Sequence, residues 1–280
     1  MRIVATRALP GPAWAELGDV KIGLDGDAEI LINMNEPVPF DAMPKLRLVA
    51  NFSVGYDNID VGECRRRGIA VTNTPGVLDA AVADLAFALI LAARRRLVEG
   101  DASIRAGGWQ PTGGLLGREV SGTTIAIVGM GRIGGAVARR AEGFDMRVVG
   151  VRSREGDLDV ALREADVVSI HTPLNDATRG LLSRERLALL RDGATLVNTA
   201  RGAVVDEDAL VDELVSGRIS AGLDVFVHEP HVPERLRGVP NVVLTPHIAS
   251  ATVETRAAMT RVVVDNVLAF VRGDPLPNPV

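Results

Sequence analysis

The feature that most constrains this chain is a strand that runs without a break into a G-x-G-x-x-G turn. Thr123-Thr124-Ile125-Ala126-Ile127-Val128 is a β-branched, apolar run of the kind buried inside a sheet. It leads directly into Gly129-Met130-Gly131-Arg132-Ile133-Gly134. In such a turn the first glycine allows the tight reversal and the second lets a pyrophosphate approach the backbone. The third lets helix and strand pack closely. A helix expected from about Ile133 to Glu142 would aim its first N–H groups at the phosphates. Arg147-Val148-Val149-Gly150-Val151 then completes a βαβ unit. The glycine pattern alone is also met by ordinary turns. Strand, turn, helix and strand in this order make a dinucleotide site the expectation.

The residue after the second strand of such a unit reads the adenosine ribose. An acidic residue there bonds the 2′-OH of NAD, whereas Arg accommodates the 2′-phosphate of NADP. Here Arg152, Ser153 and Arg154 stand at that point, and no carboxylate appears until Glu155. Two guanidiniums flanking a hydroxyl suit a phosphomonoester, because Arg pairs with phosphate as a fork. NADP is therefore the expected cofactor, with NAD possible. The alternative is that these are solvated loop arginines.

The rest of the chain has room for more than this unit. With 280 residues it suits one large or two modest domains. Before residue 94, short strands are expected at Arg2–Thr6, Ile30–Ile32, Leu48–Ala50 and Ala70–Thr72, followed by an apolar helix from about Asp79 to Arg95. After the βαβ unit, strands at Val167–His171, Thr195–Asn198, Ala221–Val225 and Val242–Leu244 alternate with helices at Ser183–Leu190 and Asp206–Ser216. That rhythm implies a parallel sheet with right-handed crossovers. A helix from about Thr252 to Arg272 closes the chain and is expected to pack back on the first domain.

Composition excludes several functions. The formal charge is −5, and the only basic triplets are Arg65-Arg66-Arg67 and Arg94-Arg95-Arg96, which argues against nucleic acid. A single cysteine, Cys64, excludes an internal disulfide and a cysteine metal cluster, and no metal is expected. The longest apolar stretch, Ala80 to Ala93, is interrupted by Asp84 and is too short to span a bilayer. Met1-Arg2-Ile3-Val4-Ala5 begins as a strand and not as a signal peptide, so a cytoplasmic location is expected.

Ligands of open α/β sheets bind outside the carboxyl ends of the strands. Arg201 follows the strand ending at Asn198, Asp224 and Glu229 end or follow the next, and His247 follows the last. A guanidinium, a carboxylate and an imidazole suit one task, anchoring a 2-oxo acid and protonating its carbonyl as hydride arrives. Arg201 would bind the substrate carboxylate bidentately and polarise the carbonyl. His247, one of four histidines with His171, His228 and His231, would donate the proton, and Glu229 would favour its charged form and fix its orientation. Taken singly, these could be a surface Arg, a solvated Glu before Pro230 and a helix-capping His.

Several stretches together resemble the D-isomer-specific 2-hydroxyacid dehydrogenases over essentially the full length. They are Asn51-Phe52-Ser53-Val54-Gly55-Tyr56-Asp57-Asn58-Ile59-Asp60, the Gly129–Gly134 turn, Asn198-Thr199-Ala200-Arg201-Gly202, Gly222-Leu223-Asp224-Val225-Phe226 with Glu229-Pro230, and Thr245-Pro246-His247-Ile248-Ala249-Ser250. The resemblance implies two domains, each a doubly wound parallel-sheet fold of Rossmann or flavodoxin type, with the active site in the cleft between them. It implies a discontinuous substrate-binding domain at residues 1–93 plus 252–280 and a dinucleotide-binding domain at 94–251. Arg201, Glu229 and His247 match the catalytic trio, and the backbone at Val54 and Gly55 matches the substrate-carboxylate loop. Asp224 matches the residue that orients the nicotinamide carboxamide. Thr172, Pro173, Thr178, Thr199, Ala200, Ala249 and Ser250 match cofactor-lining positions, and His171 matches a structural or cofactor-side position, not the acid.

Within that family, the chain looks most like glyoxylate and hydroxypyruvate reductases, which implies a small 2-oxo acid substrate and a homodimer joined through the nucleotide-binding domains. It departs in a short N-terminal domain and in Asp84, where Glu is common. Two further readings stay open: a cofactor-sensing, corepressor-like regulator on the same fold, and an NAD-dependent D-2-hydroxyacid or phosphoglycerate dehydrogenase. Formate oxidation, which needs no carboxylate partner for the histidine, is disfavoured by Glu229.

Overall fold

The computed structural model describes residues 1–34, 36–109, 114–151 and 155–280, except for the side chains of residues 155–157. They form two compact units, Met1–Leu78 with Ser250–Val280, and Asp79–Ala249.

In the first unit, β1 (Ile3–Ala5), β2 (Val20–Ile22), β3 (Ile30–Asn33) and β4 (Leu48–Asn51) are followed by helix α1 (Val61–Arg66) and β5 (Ala70–Thr72). The strands are parallel in the order β2-β1-β3-β4-β5, the doubly wound order of flavodoxin-type sheets. Both β3 and β4 are buried along their whole length, as strands covered on two faces must be. Val4, Leu31, Val49 and Val71 pack with Met43, Leu46, Ile59 and Cys64 in the core. The unit starts α1 with a side-chain cap, in which Asp60 Oδ1 accepts from the Glu63 N–H at 2.7 Å.

The second unit opens with α2 (Asp79–Arg94) and α3 (Leu97–Arg105). Then come β6 (Thr124–Val128), α4 (Arg132–Glu142), β7 (Arg147–Val151), α5 (Glu155–Glu164), β8 (Val167–Ile170), α6 (Arg184–Leu187), β9 (Thr195–Asn198), α7 (Glu207–Val215), β10 (Ser220–Leu223) and β11 (Val242–Leu244). All six strands are parallel, in the order β11-β10-β9-β8-β6-β7. The order reverses between β6 and β8, which makes their carboxyl ends the topological switch point. One face of the sheet carries Leu162, Leu196, Leu210, Leu214 and Leu223. The other carries Ile125, Ile127 and Val197 with Val137 and Ala141 of α4.

Helix α8 (Val253–Arg272) belongs to the first unit. It starts at Thr252, whose hydroxyl accepts from the Thr255 N–H at 3.1 Å, and ends at Gly273 with φ +76°. The Thr260 hydroxyl bonds the Pro10 carbonyl at 2.5 Å, and the Arg47 guanidinium lies over the Phe270 ring at 5.4 Å.

The boundary between the units differs from the one expected at residues 93 and 94. Helix α2 packs on the nucleotide-binding sheet: Ala83, Ala86, Phe87, Leu89 and Ile90 join the core of Ile125, Ile127 and Val137. Phe87 stacks on Phe144 with ring centres 5.2 Å apart, and Arg140 donates to Asp84 at 2.7 Å. An almost wholly apolar helix needs a large partner surface, and this one lies on the second sheet. The connection back to the first unit falls at Ala249 and Ser250, slightly before the expected 251 and 252.

Candidate active site

The cofactor side lies at the switch point. Gly129 has φ +102°, and a Cβ there would come within 2.7 Å of the His171 carbonyl. The neighbouring strands are tied by the His171 N–H, which donates to the Val128 carbonyl at 2.7 Å. A Cβ at Gly134 would meet the Gly129 carbonyl oxygen at 2.0 Å, so only glycine lets α4 start this close to the turn. At Gly131 a Cβ would meet no protein atom, which leaves the middle of the turn open. Helix α4 starts there without a side-chain cap, with Arg132 and Ile133 as its first residues. Open backbone at an uncapped helix N-terminus is what a pyrophosphate requires, so these residues fit a dinucleotide.

Other positions expected on the cofactor side follow β8 and β9. The Thr199 hydroxyl is buried and has no protein partner. Thr172 and Thr178 are buried, and the Thr178 hydroxyl shapes its turn by donating to the Pro173 carbonyl at 2.6 Å and accepting from the Asn175 N–H at 2.9 Å. His171 shares a 2.7 Å hydrogen bond with the Ser169 hydroxyl, and burial pushes its imidazole down to about 4. A ring that stays neutral at working pH is suited to structure and not to proton delivery. Arg152, Ser153 and Arg154 lie outside the described residues.

The proposed chemistry sits at the ends of β9, β10 and β11. Asn198, the last residue of β9, is 2% exposed, and its amide clamps the next turn. Its Nδ2 donates to the Arg201 carbonyl at 2.9 Å and its Oδ1 accepts from the Ala200 N–H at 3.0 Å. Arg201 is thereby held extended, and its Nη1 donates to the Ala200 carbonyl at 2.8 Å.

Asp224 is fully buried just past β10 and binds the loop that follows β11. Its Oδ1 accepts from the Thr245 hydroxyl at 2.6 Å and the Ile248 N–H at 2.8 Å, and its Oδ2 accepts from the Ala249 N–H at 2.9 Å. The His247 N–H donates to the Asp224 carbonyl at 2.9 Å. These bonds hold His247 at φ +55°, a left-handed conformation that a non-glycine residue adopts only when its surroundings impose it.

The imidazole then meets Glu229. His247 Nδ1 lies 2.7 Å from Glu229 Oε2, and Glu229 Oε1 accepts from the Phe226 N–H at 3.1 Å. Burial pushes the Glu229 carboxyl up. The hydrogen bond and charge of His247, the Phe226 N–H and the Arg201 charge outweigh it and hold the carboxyl below its usual range. A carboxylate locks one imidazole nitrogen, Nε2 is left to pass a proton, and a guanidinium supplies positive charge nearby.

All three residues of the trio belong to the second unit, as do Asp224 and Ala249, whereas Val54, Gly55 and Ser250 belong to the first. Asn198 and Thr245 were not singled out from the sequence. The available signals were a carboxamide ending a fully buried strand and a hydroxyl two residues before the histidine.

The chain is similar to known proteins over most of its length. Residues 87–249 match the family model described as D-isomer specific 2-hydroxyacid dehydrogenase, NAD binding domain. The chain is 47% identical over 275 residues to a glyoxylate reductase of Korarchaeum cryptofilum, covering 91% of this chain and 83% of that protein. It is 49% identical over 260 residues to one of Pyrococcus furiosus, covering 86% and 77%. Among solved structures, an NADPH-dependent glyoxylate/hydroxypyruvate reductase of Sinorhizobium meliloti, in complex with NADP and malonate, superposes with a TM-score of 0.87 at 36% identity, covering 100% of this chain and 96% of that one. With the glycine turn at the switch point and the histidine–carboxylate pair beyond it, this chain belongs to the D-isomer-specific 2-hydroxyacid dehydrogenase family and is a nicotinamide-dependent oxidoreductase.

Proposed function

We propose that the chain is an NADP(H)-preferring reductase of small 2-oxo acids of the glyoxylate and hydroxypyruvate type, forming the D-2-hydroxy acid. The observation that carries this reading is the 2.7 Å contact between His247 Nδ1 and Glu229 Oε2. A nicotinamide dinucleotide held by the Gly129–Gly134 turn and the start of α4 would supply the hydride. Arg201 takes the substrate carboxylate and so orients the adjacent carbonyl; in the first unit, the Val54 and Gly55 N–H groups are backbone donors suited to a carboxylate. His247 Nε2 gives its proton to the carbonyl oxygen as negative charge develops there, and Glu229 stabilises the protonated ring during the wait. The names of the relatives, glyoxylate reductases in several archaea, support this substrate class.

NADP preference rests on Arg152, Ser153 and Arg154 at the position that meets the adenosine ribose. The NADP complex of the Sinorhizobium meliloti relative supports it. Steady-state rates with glyoxylate, hydroxypyruvate and bulkier 2-oxo acids, using NADPH and NADH, test the whole reading. Absence of reduction of any 2-oxo acid would overturn it.

We further propose that the chain assembles as a homodimer through its nucleotide-binding unit. Helix α3 buries none of its residues, and Leu97, Val98, Ile104, Trp109 and Leu116 are exposed along it and just beyond. Apolar side chains grouped in this way mark an association surface. Light scattering at micromolar concentration is expected to give twice the 29.6 kDa chain mass. A single-chain mass would reject the assembly.

A further inference from the structure

The loop after β4 is held by two asparagine side chains that have no part in the reading above. The carbonyls of Ser53, Val54 and Gly55 are all engaged. Asn51 Nδ2 donates to the Gly55 carbonyl at 2.8 Å and to the Ser53 carbonyl at 3.4 Å. The Thr74 N–H also donates to the Ser53 carbonyl, at 3.1 Å, and Asn73 Nδ2 donates to the Val54 carbonyl at 2.9 Å. In a trans peptide the N–H points opposite to the carbonyl it shares a plane with. Three carbonyls turned toward Asn51, Asn73 and Thr74 therefore turn the N–H groups of Val54, Gly55 and Tyr56 the other way. Among the described residues, none of these three N–H groups is donated to a protein acceptor. Successive N–H groups facing one side make an anion-binding concavity.

The cost of the arrangement shows that it is not merely a filled core. Asn51 is fully buried, and its Oδ1 has no hydrogen-bond partner. A buried amide with an unused acceptor is unfavourable, and an aliphatic side chain would cover the same surface without that penalty. What an aliphatic residue cannot do is hold the Gly55 carbonyl inward.

We infer that Asn51 and Asn73 are positioning residues for substrate binding: by fixing three consecutive carbonyls they aim the Val54, Gly55 and Tyr56 N–H groups at a carboxylate. This rests on the reading that the loop takes the carboxylate of a 2-oxo acid, and adds the residues that give the loop its affinity. Neither side chain touches the reacting atoms. They act through the backbone, so their loss falls on substrate affinity more than on turnover.

Asn73, only partly buried, is the site for the test. Asn73→Ala and Asn73→Asp are expected to raise KM for glyoxylate by about tenfold or more with kcat within about threefold, the pattern of lost uniform binding. Asp should be the worse of the two, since it cannot donate to the Val54 carbonyl and adds negative charge beside the anion. NADPH affinity and thermal unfolding should stay at wild-type values. In a second arm, oxalate is titrated into ¹⁵N-labelled protein saturated with NADP⁺. The Val54, Gly55 and Tyr56 amide signals should move in the wild type and much less in Asn73→Ala. If the wild type reduces no 2-oxo acid yet oxalate moves these amides only with Asn73 present, the substrate reading falls and the positioning role stands. A wild-type KM in Asn73→Ala, or equal amide shifts in both proteins, overturns the positioning role. So does a KM rise matched by equal losses in NADPH affinity and thermal stability.

Discussion

His247 Nδ1 lies 2.7 Å from Glu229 Oε2, and each residue is also held by a backbone group other than its partner. Glu229 is anchored by the Phe226 N–H, and His247 by its N–H bond to the Asp224 carbonyl. The pair is therefore in place before any substrate arrives. His247→Ala should lower kcat for glyoxylate reduction by a factor on the order of 10²–10⁴, the usual contribution of a positioned general acid. NADPH affinity, measured by fluorescence titration, should change little. Glu229→Gln keeps the length but not the charge and should reduce turnover at neutral pH by on the order of tenfold. Near-normal turnover in His247→Ala would remove this residue from the chemistry.

Arg201 is expected to act as a fork and not as a point charge. Arg201→Lys keeps the charge and loses the paired N–H geometry that matches a carboxylate. Each charge-assisted bond contributes about 1.5–3 kcal/mol, so kcat/KM should fall by roughly 10- to 150-fold. Wild-type kinetics in this variant would refute the bidentate role.

Cofactor choice is expected to follow Arg152 and Arg154. Charge-assisted bonds to a 2′-phosphate should favour NADPH over NADH by at least about tenfold. Replacing Arg152 with Asp and Arg154 with Ala should weaken NADPH while leaving NADH similar or better, because the Asp can accept from a free 2′-OH. Equal kcat/KM for the two cofactors in the wild type would return these arginines to the role of solvated loop residues.

His171 should make stability fall on the acid side. Its folded value, about 4, lies below the unfolded 6.5. The unfolded chain therefore binds a proton first, and folding loses free energy as pH drops from about 6.5 to about 4. Part of the residue's surface remains exposed, so the loss is at most about 3 kcal/mol. Above pH 6.5 the contribution is fully present. Urea midpoints at pH 7 and 4.5, compared between wild type and His171→Gln, measure it: the variant should lose less. An equal loss in both proteins would place the acid sensitivity elsewhere.

Much of this protein is legible in its sequence, because the strongest signals are local. The run from Thr124 to Val128 is β-branched except at Ala126 and apolar after Thr124, and a parallel strand buried on both faces needs little else. Gly129 is required by its positive φ and Gly134 by the carbonyl of Gly129 a few residues back, so the turn and the start of α4 could be read without the fold. Elements without a buried stripe were missed: β2 has no buried residue, and neither does α3. Periodicity cannot report an element that buries no side chain within its own chain.

What the tertiary structure alone decided concerns partners distant in sequence. Helix α2 is apolar enough to suit either sheet, and only the complementary surface of Ile125, Ile127 and Val137 assigns it to the second unit. Asp224 reads as a lone carboxylate in the sequence, but burial leaves its charge to be satisfied by Thr245, Ile248 and Ala249, and that requirement shapes the loop bearing His247. Asn51 and Asn73 likewise read as strand-end residues until β4 and β5 lie side by side and aim both amides at one loop. Local propensity can be read one segment at a time. A buried polar group takes its meaning from whatever the fold brings within 3 Å of it.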